Sequence, residues 1–154
     1  MRQKENGFTL IELMVTIAVL VIIAMIAAPS FGDLLQNQNL NRSTQELIGQ
    51  LNSARSKAVL ERGSVEVILI PTSDPMTPKP ADTPTQLYWK PEGTVILKTG
   101  SPTTITFQLS GGIQDFAADI SGQPFIICNE SGGNKSKNIS LSLMGTIQVT
   151  EGTC

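Results

Sequence analysis

Glu12 is the single charged side chain in the apolar run from residue 8 to 28, and Cys128 and Cys154 are the chain's two thiols. A carboxylate at the centre of a membrane helix costs on the order of 2.5–3.5 kcal/mol, so it is rare without a partner or a role. Histidine is absent, which removes the commonest general base, the commonest transition-metal ligand and the usual pH switch together. Asp115, Asp119 and Glu130 show no spacing of the kind that calcium loops use, and they read as solvated surface acids. There is no serine-centred nucleophile motif and no phosphate-cradling glycine loop. The inventory predicts no enzyme activity, no cofactor and no metal.

The element that must carry Glu12 is a helix. About 21 residues, 8–28, approach the ~20 needed to cross the hydrocarbon layer. A secretory signal would end in a small-residue cleavage site, for which Ala27 and Ala28 are the candidates, and that reading stays beside the span. Arg2 and Lys4 precede the run, whereas the first positive residue after it is Arg42. Positive-inside bias therefore puts the N-terminus in the cytoplasm and the rest in the periplasm. Thiols are kept oxidised there, so one disulfide between Cys128 and Cys154 is the default. It would close a loop of roughly 27 residues and add about 3 kcal/mol on the chain-entropy model. The formal charge of -2 gives no whole-domain footprint for nucleic acid.

The order Gly7-Phe8-Thr9-Leu10-Ile11-Glu12-Leu13, behind a short charged leader, resembles the signal of type IV prepilins and pseudopilins. The resemblance implies a leader peptide over 1–7, an assembly and transmembrane helix over 8–28, and a periplasmic pilin domain over 29–154. It implies cleavage after Gly7 and methylation of Phe8 by a prepilin peptidase. It also implies that Glu12 pairs with the N-terminal amine of a neighbouring subunit, where a low dielectric strengthens the attraction. A Glu12 simply hydrated near the headgroups is the alternative.

Pro29 follows the apolar run, and a proline inside a helix deletes one backbone hydrogen bond and clashes with the preceding turn. It marks either a bend, as in the family's assembled filaments, or a plain helix end. Leu47, Leu51, Ala54 and Ala58 then recur at helical spacing with Glu46, Gln50, Ser53 and Lys57 on other faces, which predicts an amphipathic helix. Gly63 after Arg62 is the expected C-cap. Strands are predicted over 65–70 and 104–109, and more weakly over 86–90, 94–98, 124–128, 139–143 and 146–149. The fold class is therefore α+β, a long N-terminal helix packed on an antiparallel sheet, and the resemblance implies that this is the type IV pilin fold. Five prolines between 71 and 84 predict an extended solvated loop, either a passive insert or a partner-recognition segment. Trp89 reads as a packing anchor.

Helix, sheet and C-terminal cysteine pair together look like the GspH/FimT branch of pilin-like proteins, with FimU-type minor pilins nearest. That resemblance implies a minor pilin that helps initiate a type IV pilus and links its tip complex to the major subunits. Its partners would be the prepilin peptidase, other minor pilins, the major pilin, the inner-membrane assembly platform and the lipid bilayer. A type II secretion pseudopilin is the alternative within the structural class, and a DNA-binding pilin for transformation is the alternative among binding modules. Some relatives of the latter kind carry Gly-Arg-x-Arg, and the matching stretch here is Gly145-Thr146-Ile147-Gln148. Both arginines are missing, and Lys135 and Lys137 read as a solvated turn, so DNA is not an expected partner.

Overall fold

The computed structural model describes residues 8–73, 76–116 and 122–154, and at helical positions 27–30 it describes the backbone alone. The chain divides into two compact units, Met1–Leu35 and Gln36–Cys154. One helix, α1 (Leu10–Glu61), contributes to both. In the first unit its apolar side chains face outward, from Leu10 at 77% exposure to Ile26 at 72%. That part is long and apolar enough to cross a bilayer by length and composition. The helix assignment continues through Pro29, so this proline is not a helix end.

In the second unit, helical spacing sets the packing. Leu40, Leu47, Leu51, Ala54 and Ala58 lie on one stripe and are buried, as the 3.6-residue period requires of a helix seated on a sheet. Ser43 and Thr44 interrupt this stripe and are buried too. They are tolerated because each finds a partner: Thr44 Oγ1 donates to Leu40 O at 2.7 Å, and Ser43 Oγ accepts from Glu92 N at 3.1 Å. The helix ends differently from expectation. Arg62, not Gly63, takes the left-handed conformation, at φ 51°, and Gly63 N donates to Ala58 O at 3.2 Å. This is a Schellman-type closure in which the glycine supplies the second amide beyond the cap.

Seven strands follow: β1 (Val65–Leu69), β2 (Gln86–Trp89), β3 (Ile96–Leu97), β4 (Thr104–Phe107), β5 (Phe125–Cys128), β6 (Ser136–Leu141) and β7 (Ile147–Gly152). They form two sheets, in the orders β2-β1-β4 and β3-β5-β6-β7. The α+β class is as expected. One pairing departs from an all-antiparallel arrangement, since β1 and β2 are parallel, with Val67 opposite Leu87. Parallel neighbours need a crossover of a dozen or more residues, and the proline-rich stretch between Leu69 and Gln86 is that crossover. It also covers the outer edge of β2, where Gln86 N donates to Thr83 Oγ1 at 2.9 Å and Tyr88 N to Asp82 Oδ1 at 2.8 Å. An edge strand is thereby protected from pairing with another chain.

Alternation along the strands builds the core. Val65, Val67 and Leu69 face inward from β1, Ile105 and Phe107 from β4, and Phe125 and Ile127 from β5; all are buried against the stripe of α1. Trp89 is buried as well, and its Nε1 donates to Ser43 O at 2.9 Å. Among the described residues every buried core residue belongs to Gln36–Cys154, so this unit holds its own hydrophobic core. Cys128 and Cys154 are joined, with Cα atoms 5.9 Å apart, within the usual range for a disulfide. Lys98 Nζ donates to Cys154 O at 3.0 Å, a second tie on the terminus. Replacing both cysteines by serine is expected to lower unfolding stability by about 3 kcal/mol. Urea denaturation under non-reducing conditions would measure it, and an unchanged midpoint would show that the bridge contributes nothing.

Candidate functional site

The start of α1 is built by a four-residue signature. Thr9 is the N-cap and Glu12 the third helical residue, and they satisfy each other reciprocally. Glu12 N donates to Thr9 Oγ1 at 3.3 Å, Thr9 N donates to Glu12 Oε2 at 3.0 Å, and Thr9 Oγ1 donates to the same oxygen at 2.8 Å. This is a capping box, in which two otherwise orphaned backbone donors are satisfied. Glu12 thus has a local structural use beside its expected role as an intermolecular acid, and Thr-x-x-Glu is the signal for it in the sequence.

The box leaves Glu12 half committed. Oε2 is held by Thr9, whereas Oε1 has no hydrogen bond among the described residues, and no cation there approaches the carboxylate. Phe8 beside it is 90% exposed, and Gly7 lies outside the described residues. What the arrangement can do chemically is accept a cationic donor at the helix entrance from outside the chain. Thr9→Ala should remove one cap, worth about 1 kcal/mol. Amide hydrogen exchange at residues 10–12, with the protein in bilayer discs, should then accelerate about five-fold, and unaltered exchange would refute this use of Thr9.

Farther along the chain, Lys135, Lys137 and Glu130 are engaged in structural contacts. Lys135 Nζ donates to Asn37 Oδ1 at 3.1 Å, and Lys137 Nζ lies 2.6 Å from Glu151 Oε1. The hydrogen bond and charge of Lys137 hold the Glu151 carboxyl below its ordinary range. Glu130 Oε2 accepts from Gln36 Nε2 at 3.1 Å. Asp115 sits at φ 50° in a turn, and Asp119 lies outside the described residues. The loop 142–146 joins β6 to β7, with Gly145 at φ 75° and its amide donating to Ser142 O at 2.8 Å. The stretch where some relatives place paired arginines therefore begins in a hairpin turn here. Pro29 lies within α1.

Comparison with known proteins fits both halves of this description. Residues 2–28 match the prokaryotic N-terminal methylation motif, and residues 43–145, more than half of the chain, match the type II transport protein GspH. The chain belongs to the GspH family. The match unites this GspH-family chain with pilins and pseudopilins, which are structural subunits. Similar proteins include the fimbrial protein EcpB of Eikenella corrodens, 42% identical over 72 residues, covering 47% of this chain and 41% of that protein. A fimbrial protein of Pseudomonas aeruginosa is 39% identical over 59 residues, 38% of either chain. The type IV major fimbrial protein FimA of Dichelobacter nodosus is 36% identical over 61 residues, 40% of this chain and 38% of its own. The GspH-family chain thus spans about two fifths of the length of these curated relatives. No solved structure matches it. The motif, the apolar helix and the fimbrial relatives together fit a membrane-anchored filament subunit.

Proposed function

We propose that this chain is a minor pilin of a type IV pilus, which helps to initiate assembly and joins the tip complex to the major subunits. A prepilin peptidase cleaves after Gly7 and methylates Phe8. The helix over 8–28 holds the subunit in the inner membrane with residues 29–154 in the periplasm, until the assembly platform moves it into the filament. Glu12 then receives the amine of a neighbouring subunit, and Pro29 serves assembly by locally loosening the helix. The observation that carries this reading is Glu12 itself, a carboxylate with one oxygen unpartnered among the described residues, on an apolar, outward-facing stretch of helix. Such a group is rare in a membrane without a partner or a role, and its own chain offers it a cap but no charge among the described residues.

A pseudopilin of a type II secretion machine is the second reading, favoured by the description of the matching family as a transport protein. A DNA-capturing role has less support, because Lys135 and Lys137 are tied to Asn37 and Glu151. The test is mass spectrometry of the protein recovered from sheared surface filaments. A mature start at methylated Phe8 in the pilus fraction is expected. A start well beyond residue 28, leaving a free domain, would overturn the filament reading, and recovery only with secretion components would select the pseudopilin.

A further inference from the structure

Two open sheets have four edges, and among the described residues three of them are closed. The outer side of β2 is taken by Thr83 and Asp82. Beside β4, Gln114 N donates to Thr106 O and Gln108 N to Gly112 O, both at 2.8 Å. Beside β3, Leu97 N donates to Pro71 O at 3.0 Å. Beyond β7, the last strand of its sheet, no backbone bond is made among the described residues. Exposed edges are ordinarily blunted by proline, lysine, a bulge or a covering segment, yet β7 reads Ile-Gln-Val-Thr-Glu-Gly, with neither proline nor lysine. Such an edge is a template for another strand.

The ladder fixes which groups β7 offers. Ser142 N donates to Thr146 O at 3.0 Å. By the alternation of an antiparallel pair, Gln148, Thr150 and Gly152 then bond to β6, and the amides and carbonyls of Ile147, Val149 and Glu151 point outward. These three are spaced evenly about Val149. A second β7 laid antiparallel, with Val149 opposite Val149, therefore meets every outward group, because Ile147 of each strand faces Glu151 of the other. No like charges oppose each other in that register. The side chains suit it as well. Val149 lies opposite the buried Ile139, on the face that α1 covers, yet it is 42% exposed, and Val149 of a second copy would cover it. Arg55 of α1 stands at the start of β7, where a Cβ on Gly145 would lie 3.2 Å from its Nε. That Nε donates to Gly111 O at 3.1 Å, and among the described residues no carboxylate pairs with the guanidinium. The same register brings the other copy's Glu151 to this end of the strand, where its charge complements Arg55.

We infer that the outer edge of β7 is a two-fold docking surface for β7 of a second copy of this chain, which joins the two sheets into one and sets the other copy's Glu151 beside Arg55. The contact is isologous, so it closes at two copies. It also has a direction. Over residues 37–55, α1 runs alongside β7 the opposite way, since Arg55 stands at the start of the strand whereas Asn37 and Asn41 share a hollow with Glu151 and Gly152 at its end. Two antiparallel β7 strands thus carry two antiparallel helices, and the contact joins copies that approach from opposite directions, as from two facing membranes or filaments. The inference goes beyond the filament reading and does not rest on it.

Full-length chains would be placed singly in bilayer discs, and sedimentation velocity would count single and paired discs as concentration rises, with the near-ultraviolet circular dichroism of Trp89 reporting the fold. Paired discs are expected. Val149→Pro deletes an amide that points away from β6, a change that an edge strand tolerates. It should lower the paired fraction about ten-fold or more, because both central hydrogen bonds are lost, with the Trp89 signal unchanged. Arg55→Glu should lower pairing about five-fold, and Arg55→Glu together with Glu151→Lys in one chain should restore it. Val149→Cys should be joined to itself between discs by a short bis-maleimide. Discs that stay single, or pairing that Val149→Pro leaves intact while the fold is kept, would overturn the proposal. Should Val149→Pro disturb the Trp89 signal, the Arg55 and Glu151 exchange decides alone, and pairing insensitive to it would overturn the proposal equally. Because no filament is present in the discs, either outcome leaves the filament reading to its own test.

Discussion

Glu12→Ala is expected to leave the protein in the membrane at its normal level and to lower its amount in filaments at least ten-fold, taking about 1.4 kcal/mol or more for each tenfold. Insertion should not suffer, because removing the carboxylate relieves a transfer penalty, which for an acid at the centre of a membrane helix is on the order of 2.5–3.5 kcal/mol. What is lost is the acceptor. An amine entering a low-dielectric core unpaired faces a penalty of several kcal/mol, and truncating one partner of a buried pair leaves that penalty uncompensated. The capping box sharpens the expectation. Thr9 already donates twice to Glu12 Oε2, so an incoming amine gains Oε1 without displacing the cap. Glu12→Asp keeps the charge on a shorter arm and should incorporate at an intermediate level. Glu12→Gln keeps the shape without the charge and should behave like the alanine variant. Immunoblots of membrane and sheared fractions decide the matter; alanine and glutamine variants present in filaments at wild-type level would mean that Glu12 serves only its own helix.

Much of this molecule can be read from residue order, and the limits have physical causes. The α1 stripe from Leu47 to Ala58 was legible because burial against a sheet imposes a period that few other arrangements share. Strands at 65–70 and 104–109 were legible from β-branched alternation, and the observed β1 and β4 lie within those spans. Pairing was not. Whether β1 meets β2 in parallel depends on where a connection without helix or strand among its described residues returns, and a proline-rich stretch carries no period to announce that. The edge contacts of Thr83 and Asp82 are likewise products of that return path. Ser43 and Thr44 occupy buried positions that a polarity pattern assigns to solvent, because their partners come from Leu40 and from Glu92, one turn back and one sheet away.

The Thr9–Glu12 box is a different kind of miss. Its signature, Thr-x-x-Glu, stands in the sequence, but the resemblance to prepilins assigns Glu12 to a neighbouring subunit and implies nothing of the local cap. The two uses are compatible, since a cap needs one carboxylate oxygen and leaves the other for an incoming donor. The exposed Leu109, Leu143 and Met144 could not be recognised in advance either. Each is an ordinary apolar residue beside a strand, and only the turns reveal that they point away from the core.

Trp89 should govern the stability of the globular unit. It is 2% exposed, shares the core with Phe107, Phe125 and Leu47, and donates its indole N–H to Ser43 O at 2.9 Å. Trp89→Ala removes the largest fully buried side chain and leaves a cavity that strands β1 and β2 on one side and α1 on the other cannot both close. Large aromatic truncations of this kind cost about 3–5 kcal/mol, against a total of about 5–15 kcal/mol for an ordinary domain. Trp89→Phe retains most of the apolar volume and forfeits the hydrogen bond, so about 1–2 kcal/mol is expected. The difference matters because Ser43 also accepts the amide of Glu92 through its hydroxyl, so the indole contact anchors the segment after β2 to the helix. Urea unfolding of Gln36–Cys154, followed by circular dichroism, should rank wild type, phenylalanine and alanine variants in that order. Equal midpoints for the first two would mean that the hydrogen bond is offset by water in the variant, whereas an alanine variant within about 0.5 kcal/mol of wild type, a margin typical of tolerant surface sites, would place Trp89 outside the cooperative core.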